Sequence, residues 1–366
     1  EEGRMKVIDA DAHVEECAET WSFLDADFHQ QRPLPILIDP DTPYGRNNAV
    51  WLIEGKVFPK LAGRGLHTFA TPPISLYARS KPIAVGAQSL TDIKGRLADM
   101  DRLGIDCQVV FPTLFLVTLA DDVALEAALC RSYNSWMARN CAQSGNRLRF
   151  AAVVPLRDVA ESVRELRRAK GMGAVAVMTP GIVWDKELGN KDFFPFYEEA
   201  CRLDLPVCVH FGWGAPGLTD LFQTVGTSRF AAGVLPVVMG FFSLLSCGVL
   251  DEFPRLTVAF LEAGAGWLPH AFHQLEGARP RFAGGKKSPR EYWKDGTLYV
   301  AVELDEDINY LSQFAGEDQI VLASDYPHGD PSHEEDMVGE LGKRTDLSPR
   351  LREKILSGNP ARLYRL

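Results

Sequence analysis

The sequence lacks any cluster of five or more Lys and Arg residues and carries a formal net charge of -10. Phosphate recognition needs concentrated positive charge, so a nucleic-acid surface is not expected and small-molecule chemistry is. None of the seven cysteines, Cys17, Cys107, Cys130, Cys141, Cys201, Cys208 and Cys247, belongs to a C-x-x-C pair. They read as reduced, mostly buried thiols, not as a disulfide framework or a thiolate metal site. Low-complexity blocks are missing too, and with 46% hydrophobic and 24% charged residues the chain is expected to fold throughout. Residues 1–4, which precede Met5, hold no apolar stretch of the kind a secretory signal needs, so a cytoplasmic protein is expected. One uncharged run, 230–250, approaches membrane-spanning length. Pro236 and several Gly and Ser residues interrupt it, which favours a buried barrel helix or a subunit-interface helix over a span.

What is present is a rhythm. Short β-branched runs at 6–14, 106–113, 150–156, 174–179, 206–211, 256–262, 298–303 and 319–325 each end in polar or turn residues. Helical patterns follow them, such as 91–103 behind a Thr91 cap and 159–169 with its Glu/Arg outer face. Consecutive apolar residues suit strands buried on both faces, and eight such units in order predict an α/β protein, a distorted (β/α)8 TIM barrel. A barrel of this length forms one domain, 1–366. Within it, 16–87 breaks the rhythm and is rich in Pro, Gly and aromatics (Trp21, Tyr44, Trp51, Phe58, Tyr77). It reads as an insertion after the first strand that either lids the mouth or packs on the side.

The unusual polar residues fall at strand ends: Asp11 and His13 on the first, His210 on the fifth, Glu262 on the sixth and Asp325 on the eighth. A barrel brings these ends to one mouth. Three carboxylates gathered there would repel one another, whereas a divalent cation neutralises them and uses their oxygens as ligands. Asp11 and His13 are two apart on a strand and so share a face. Mixed imidazole and carboxylate donors suit zinc, manganese or iron. His328, three residues after Asp325, is a candidate proton donor or substrate-orienting group, and Glu303 and Asp305 fall near the end of the seventh strand. His270 and His273 lie beyond the sixth strand tip and are read as structural or interfacial; His29, His67 and His333 have no supporting pattern.

Four strings carry a resemblance: Val7-Ile8-Asp9-Ala10-Asp11-Ala12-His13, Val209-His210-Phe211-Gly212, the run from Phe260 through Glu262 to Trp267-Leu268-Pro269, and Ala323-Ser324-Asp325-Tyr326-Pro327-His328. With Asn359-Pro360-Ala361-Arg362-Leu363-Tyr364 near the end, the chain resembles the amidohydrolase-2 branch of the amidohydrolase superfamily, which includes aminocarboxymuconate-semialdehyde decarboxylase-like proteins. The resemblance implies a metal-binding barrel. Two departures stand out: Asp11 replaces the first His of the usual His-x-His, and Glu262 stands where decarboxylase-like members often carry His. Glu16 matches a Glu of the Asp-Ala-Asp-x-His variant of the branch.

More carboxylate favours two divalent ions over a single zinc. The expected assignment gives Asp11, His13 and Asp325 to one ion, His210 and Glu16 to the other, with Glu262 bridging. Since some members of the branch resemble dinuclear non-haem iron oxygenases, the leading expectation is a monooxygenase that hydroxylates an unactivated C–H bond of a small metabolite with dioxygen, using two ions, iron above zinc or manganese. Asp325, His328 and Glu262 are its expected catalytic groups. Nothing in the chain reads as a flavin or nicotinamide site, so an external electron donor is expected. Trp213 and the aromatics of the insertion suit an apolar pocket, and Arg64 or Arg79 could pair with a substrate carboxylate. The alternatives are a metal-dependent hydrolase or non-oxidative decarboxylase of a small organic acid, and a non-catalytic metal-bound subunit beside a catalytic paralogue. A homo-oligomer or a pair with such a paralogue is the expected assembly.

Overall fold

In the computed structural model the described residues are 5–37, 49–58, 61–62, 68–69, 83–213, 215–219, 224, 227, 229–282, 284–328 and 334–366. Eight strands follow the predicted order: β1 (Ile8–Val14), β2 (Cys107–Pro112), β3 (Leu148–Ala152), β4 (Ala176–Pro180), β5 (Val207–His210), β6 (Val258–Leu261), β7 (Leu298–Val302) and β8 (Ile320–Leu322). They lie side by side in that sequence, and every neighbouring pair is parallel. Val, Ala, Ile and Leu dominate these strands and are buried nearly throughout. That is the composition parallel strands need when helices cover one face and barrel-filling side chains the other.

No ladder pairs β1 with β8. The barrel closes there through single bonds instead: Asp325 N donates to Asp11 O at 3.1 Å and His13 N to Tyr326 O at 2.5 Å. The register of β1 against β2 also shifts between Asp9 and Ala12, the stretch that contains Asp11. Both irregularities of the barrel fall on β1.

Helices α1 (Ile93–Arg102), α2 (Val123–Cys141), α3 (Val159–Gly171) and α4 (Phe194–Leu203) form the first half of the outer ring. Carboxylates start three of them: Asp92, Asp122 and Asp158 accept from the amides of Gly95, Ala124 and Glu161. The cap of α1 is thus Asp92 and not Thr91, since the carboxylate one residue later is the one that reaches the free amide. The apolar run expected at 230–250 forms a continuous helical stretch ending in α5 (Leu235–Ser246). Arg229–Ser246 is long and apolar enough to cross a membrane by composition alone. Its inner face belongs to the barrel, with Val237, Phe241, Leu244 and Leu245 buried. Phe241 meets Phe260 and Trp267 edge to face at 5.3 and 5.2 Å.

Between β1 and β2 the chain makes a small antiparallel sheet from Leu34–Leu37, Ala49–Ile53 and Lys56–Phe58. Trp51, Ile53 and Phe58 pack with Trp21 and Leu24 against Leu114, Val117 and Leu119 after β2 and Leu125 and Leu129 of α2. Tyr44, Arg64, His67, Tyr77 and Arg79 lie outside the described residues, as does His333.

Candidate metal centre

At the carboxyl ends of the strands two groups of donor atoms overlap. One comprises Asp11, His13, His210 and Glu262, the other His13, Glu262, Asp325 and His328; all are buried, and within each group the ligand atoms lie within 4.8 Å of one another. His13 is central. Its Nε2 lies 3.5 Å from Asp11 Oδ1, 3.6 Å from Glu262 Oε2 and 3.4 Å from Asp325 Oδ1. His210 Nε2 lies 3.0 Å from Asp11 Oδ2 and 3.5 Å from Glu262 Oε2.

Both histidines are braced from behind. Nδ1 of His13 donates to the Pro112 carbonyl at 2.9 Å, and Nδ1 of His210 to the Phe211 carbonyl at 2.8 Å. A backbone acceptor at Nδ1 fixes the tautomer and turns Nε2 inward, which is the arrangement of a ligating imidazole. Burial, and then the neighbouring His328 and His210, push His13 well below its ordinary range, so it is neutral with a free lone pair. Burial opposes charge on His210 as well, but Asp11 and Glu262 outweigh it and raise its pKa to about 9.

The donor set fits a metal on an observation independent of its composition. Asp11 Oδ1 and His13 Nε2 are buried and have no hydrogen-bond partner. Leaving two such atoms unsatisfied inside a protein costs about 1–3 kcal/mol each, and an ion between them removes the cost. Glu262 and Asp325 reach the mouth from left-handed backbone, φ +54° and +53°. Non-glycine residues rarely adopt this region and hold it where surrounding structure demands it, commonly at functional sites.

Glu16 is not brought into either group. Its two oxygens accept from the amides of Thr113 and Leu114 at 3.2 and 2.9 Å, holding the turn after β2, and burial lifts its pKa to about 8. The expected pairing of His210 with Glu16 on a second ion is therefore replaced by His210 with Asp11 and Glu262, because the turn's free amides take the Glu16 carboxylate first. His328 stacks on His13 with centroids 4.1 Å apart, places Nδ1 2.8 Å from Asp325 Oδ1 and meets Thr113 Oγ1 through Nε2 at 2.8 Å. Thr113 was not singled out in the sequence, although it occupies the end of a strand. His270 and His273 are exposed on the helix Leu268–Ala278, away from the mouth, and His29 bonds the Leu24 carbonyl.

A cavity of about 240 Å³ opens on the centre. Asp11, Glu262 and Asp325 line it, with Ala301, Val302, Leu304 and Leu322 as an apolar wall and Glu303, Asp305 and Glu334 further along. Arg229 Nη2 lies 3.6 Å from Glu303 Oε1. Trp213 packs instead with the cluster around Trp21 and Trp51.

An eight-stranded parallel barrel with imidazole and carboxylate donors converging at its strand ends defines a metal-dependent barrel enzyme that binds a divalent ion. The amidohydrolase family profile matches residues 8–366, and the chain belongs to that family. A 2-amino-3-carboxymuconate-6-semialdehyde decarboxylase of Dictyostelium discoideum is 26% identical over 285 residues, covering 72% of this chain and 74% of that protein. Among solved structures, an amidohydrolase of Mycobacterium avium subsp. paratuberculosis superposes with a TM-score of 0.76 at 20% identity, covering 99% of this chain and all of the other. The 5-carboxyvanillate decarboxylase of Novosphingobium aromaticivorans, solved with manganese, gives 0.71 at 19% identity over 99% and 96% of the two chains.

These relatives correct the leading functional expectation. Those with a named reaction are decarboxylases, not dioxygen-dependent hydroxylases, so the monooxygenase reading falls, and with it iron, dioxygen and an external electron donor. The physical reason lies in the donor set: oxygen-rich ligands serve a redox-inert role on a hard divalent ion such as manganese as well as they serve iron. Counting carboxylates does not choose between the two chemistries.

Proposed function

We propose that the protein is a divalent-metal-dependent, non-oxidative decarboxylase of a small unsaturated or aromatic carboxylic acid. The observation that carries this reading is the buried meeting of His13 Nε2 with carboxylate oxygens of Asp11, Glu262 and Asp325, opening on one small cavity. Family membership and the decarboxylase relatives support it. A dry cavity of about 150 Å³ accepts benzene, so one of about 240 Å³ suits a single substituted ring or its open-chain equivalent.

Asp11, His13, His210, Glu262 and Asp325 are the residues that would hold the ion. When bound, the ion supplies positive charge that neutralises the substrate's anionic oxygens and fixes them in the mouth. The chain's own groups do the rest. The apolar wall of Val302, Leu304 and Leu322 holds the carbon skeleton and keeps water from it. Asp325, in contact with His328 Nδ1 at 2.8 Å, delivers a proton to the carbon that bears the carboxylate. The C–C bond to that carboxylate then breaks, its electron pair restores the π system and CO2 leaves neutral, so one proton enters for each CO2 released. His328, steadied at Nε2 by Thr113, returns a proton to Asp325.

Manganese-loaded protein tested on a panel of hydroxybenzoic and unsaturated amino acids in D2O provides the test. The expected result is CO2 release with one deuterium at the vacated carbon, at the same rate in air and under argon. Dioxygen consumption matched to turnover, or release of CO2 from none of the panel, would overturn the reading.

A further inference from the structure

Asp9 sits two residues before Asp11 on β1, is fully buried and takes no part in either group of ligand atoms. Four donors converge on its carboxylate. Ser324 N and Asp11 N donate to Oδ1 at 2.9 and 3.4 Å, and Ser324 Oγ and Gln108 Nε2 donate to Oδ2 at 2.5 and 2.9 Å. The directions are fixed from outside. The Ser324 hydroxyl accepts from Tyr326 N at 3.1 Å, so its own hydrogen is free for Asp9. Gln108 Oε1 accepts from Arg96 Nε at 2.8 Å, which turns its NH2 toward Asp9. Only a group that accepts on both oxygens satisfies this set, and an amide of the same shape sets N–H against N–H.

The two Ser324 bonds span the junction where the barrel strands are not laddered, between β1 and the segment after β8, while Gln108 holds Asp9 from β2 on the other side. Ser324 is bonded directly to Asp325, and Asp9 shares β1 with Asp11 and His13. Arg96, also fully buried, binds the same seam from α1: Nη2 donates to His13 O at 3.1 Å and the guanidinium lies 4.0 Å over the Tyr326 ring.

We propose that Asp9 is a positioning residue of the metal centre, a double-acceptor clasp that closes the seam and sets the spacing of Asp11 and His13 relative to Asp325. Any displacement of Ser324 passes through one peptide unit to Asp325, so the loss of the clasp widens the ligand set and not merely the barrel. The inference rests on the metal centre and is independent of the decarboxylation chemistry.

The test compares Asp9→Asn with Asp9→Asn/Gln108→Glu in the full chain, reading Mn2+ dissociation constant and Mn2+ EPR line shape beside circular dichroism. Asp9→Asn is expected to fold and to bind Mn2+ about 10- to 100-fold more weakly, with an altered spectrum, the range found when groups supporting metal ligands are changed. The double variant restores one of the two matches at Oδ2, since a carboxylate at 108 accepts from both Arg96 and the new amide while the Ser324 hydroxyl still lacks its acceptor, and it is expected to recover part of the affinity. Unchanged affinity and spectrum in Asp9→Asn, or a double variant no better than the single, would overturn the proposal. Should Asp9→Asn not fold, Ser324→Ala takes its place, losing one donor and keeping the backbone bond; about tenfold weaker Mn2+ binding is expected, and unchanged binding overturns it. Wild-type Mn2+ affinity without CO2 release counts against the proposed reaction and leaves the clasp standing.

Discussion

At the scale of single residues, the centre separates groups that hold an ion from groups that hold those groups. His13 is the most connected candidate ligand, with three carboxylates within 3.6 Å, and His13→Ala is expected to abolish bound metal, read as the manganese content of the purified variant. Retention of a full equivalent would mean that the ion sits elsewhere. Thr113 is the opposite case, since it lies outside both groups of donor atoms and its hydroxyl meets His328 Nε2. Thr113→Val should leave metal content unchanged but lower kcat about tenfold, in the range of a group that acts through a proton-transferring partner; loss of metal instead would make Thr113 part of the ion's support. The convergence of Asp11, His13, His210, Glu262 and Asp325 is legible because each is a polar side chain at the end of an apolar run, which barrel geometry brings to one point. Glu16 was misleading for a related reason: nearness in sequence does not tell which way a loop carboxylate turns, and the amides of Thr113 and Leu114 claimed it. Asp9 was legible only as part of a string, because nothing local reveals that Ser324 and Gln108, far along the chain, donate to it.

At the scale of elements, carboxylates on backbone amides and on arginines set the positions of loops and helices. Glu306 accepts from the amides of Ala265, Gly266 and Glu303 at 2.9, 2.7 and 2.9 Å, tying the turn after Glu262 to the end of β7. Gly264 in that turn has φ +61° and its α-carbon faces Glu306, so neither the conformation nor the space admits a side chain easily. Glu306→Gln should cost about 1–3 kcal/mol, the typical loss for charge-assisted bonds left unmatched, measurable by urea unfolding; a change below a few tenths would show that the turn holds itself. Glu199 on α4 bonds Arg167 of α3 and Arg202 of its own helix. The two arginines draw its pKa down to about 2. A depressed folded-state pKa adds stability above the ordinary glutamate value, and that increment fades as pH falls from about 4.5 toward 2. Because both arginines are more than half exposed, solvent screening limits it to about 1 kcal/mol or less. Glu199→Gln should flatten the acid limb of the unfolding curve by that amount, and an identical limb would assign acid sensitivity to other carboxylates. The strands themselves were readable from their apolar runs, whereas their ends were not: the run 319–325 holds a strand of only Ile320–Leu322, because Asp9 and Asp11 on β1 take the amides of Ser324 and Asp325 out of the ladder.

At the scale of the whole molecule, the metal centre and the weakest line of the barrel coincide. Seven of the eight strand junctions are laddered, and the eighth is closed by Asp325 N to Asp11 O, His13 N to Tyr326 O and the side chains around Asp9. The candidate ligands stand on both sides of this seam, Asp11 and His13 on one and Asp325 on the other. An ion held by these groups would act as a cross-link where backbone pairing is missing, in addition to neutralising carboxylates that otherwise repel across it. Because it binds the folded chain and not the unfolded one, Mn2+ at 100 times its dissociation constant should stabilise by about 2.7 kcal/mol, a rise in Tm of roughly 3–4 °C. Hydrogen exchange locates the effect. Chelation should speed exchange at the amides of His13, Ser324 and Asp325, which bridge the seam, before those of Val209 and Phe260 at the far side of the barrel. If Tm rises but protection increases evenly around the barrel, the ion stabilises by charge neutralisation alone; if Tm does not move with Mn2+, the centre is neither clasp nor counter-charge, and the fold holds its buried carboxylates by protonation instead.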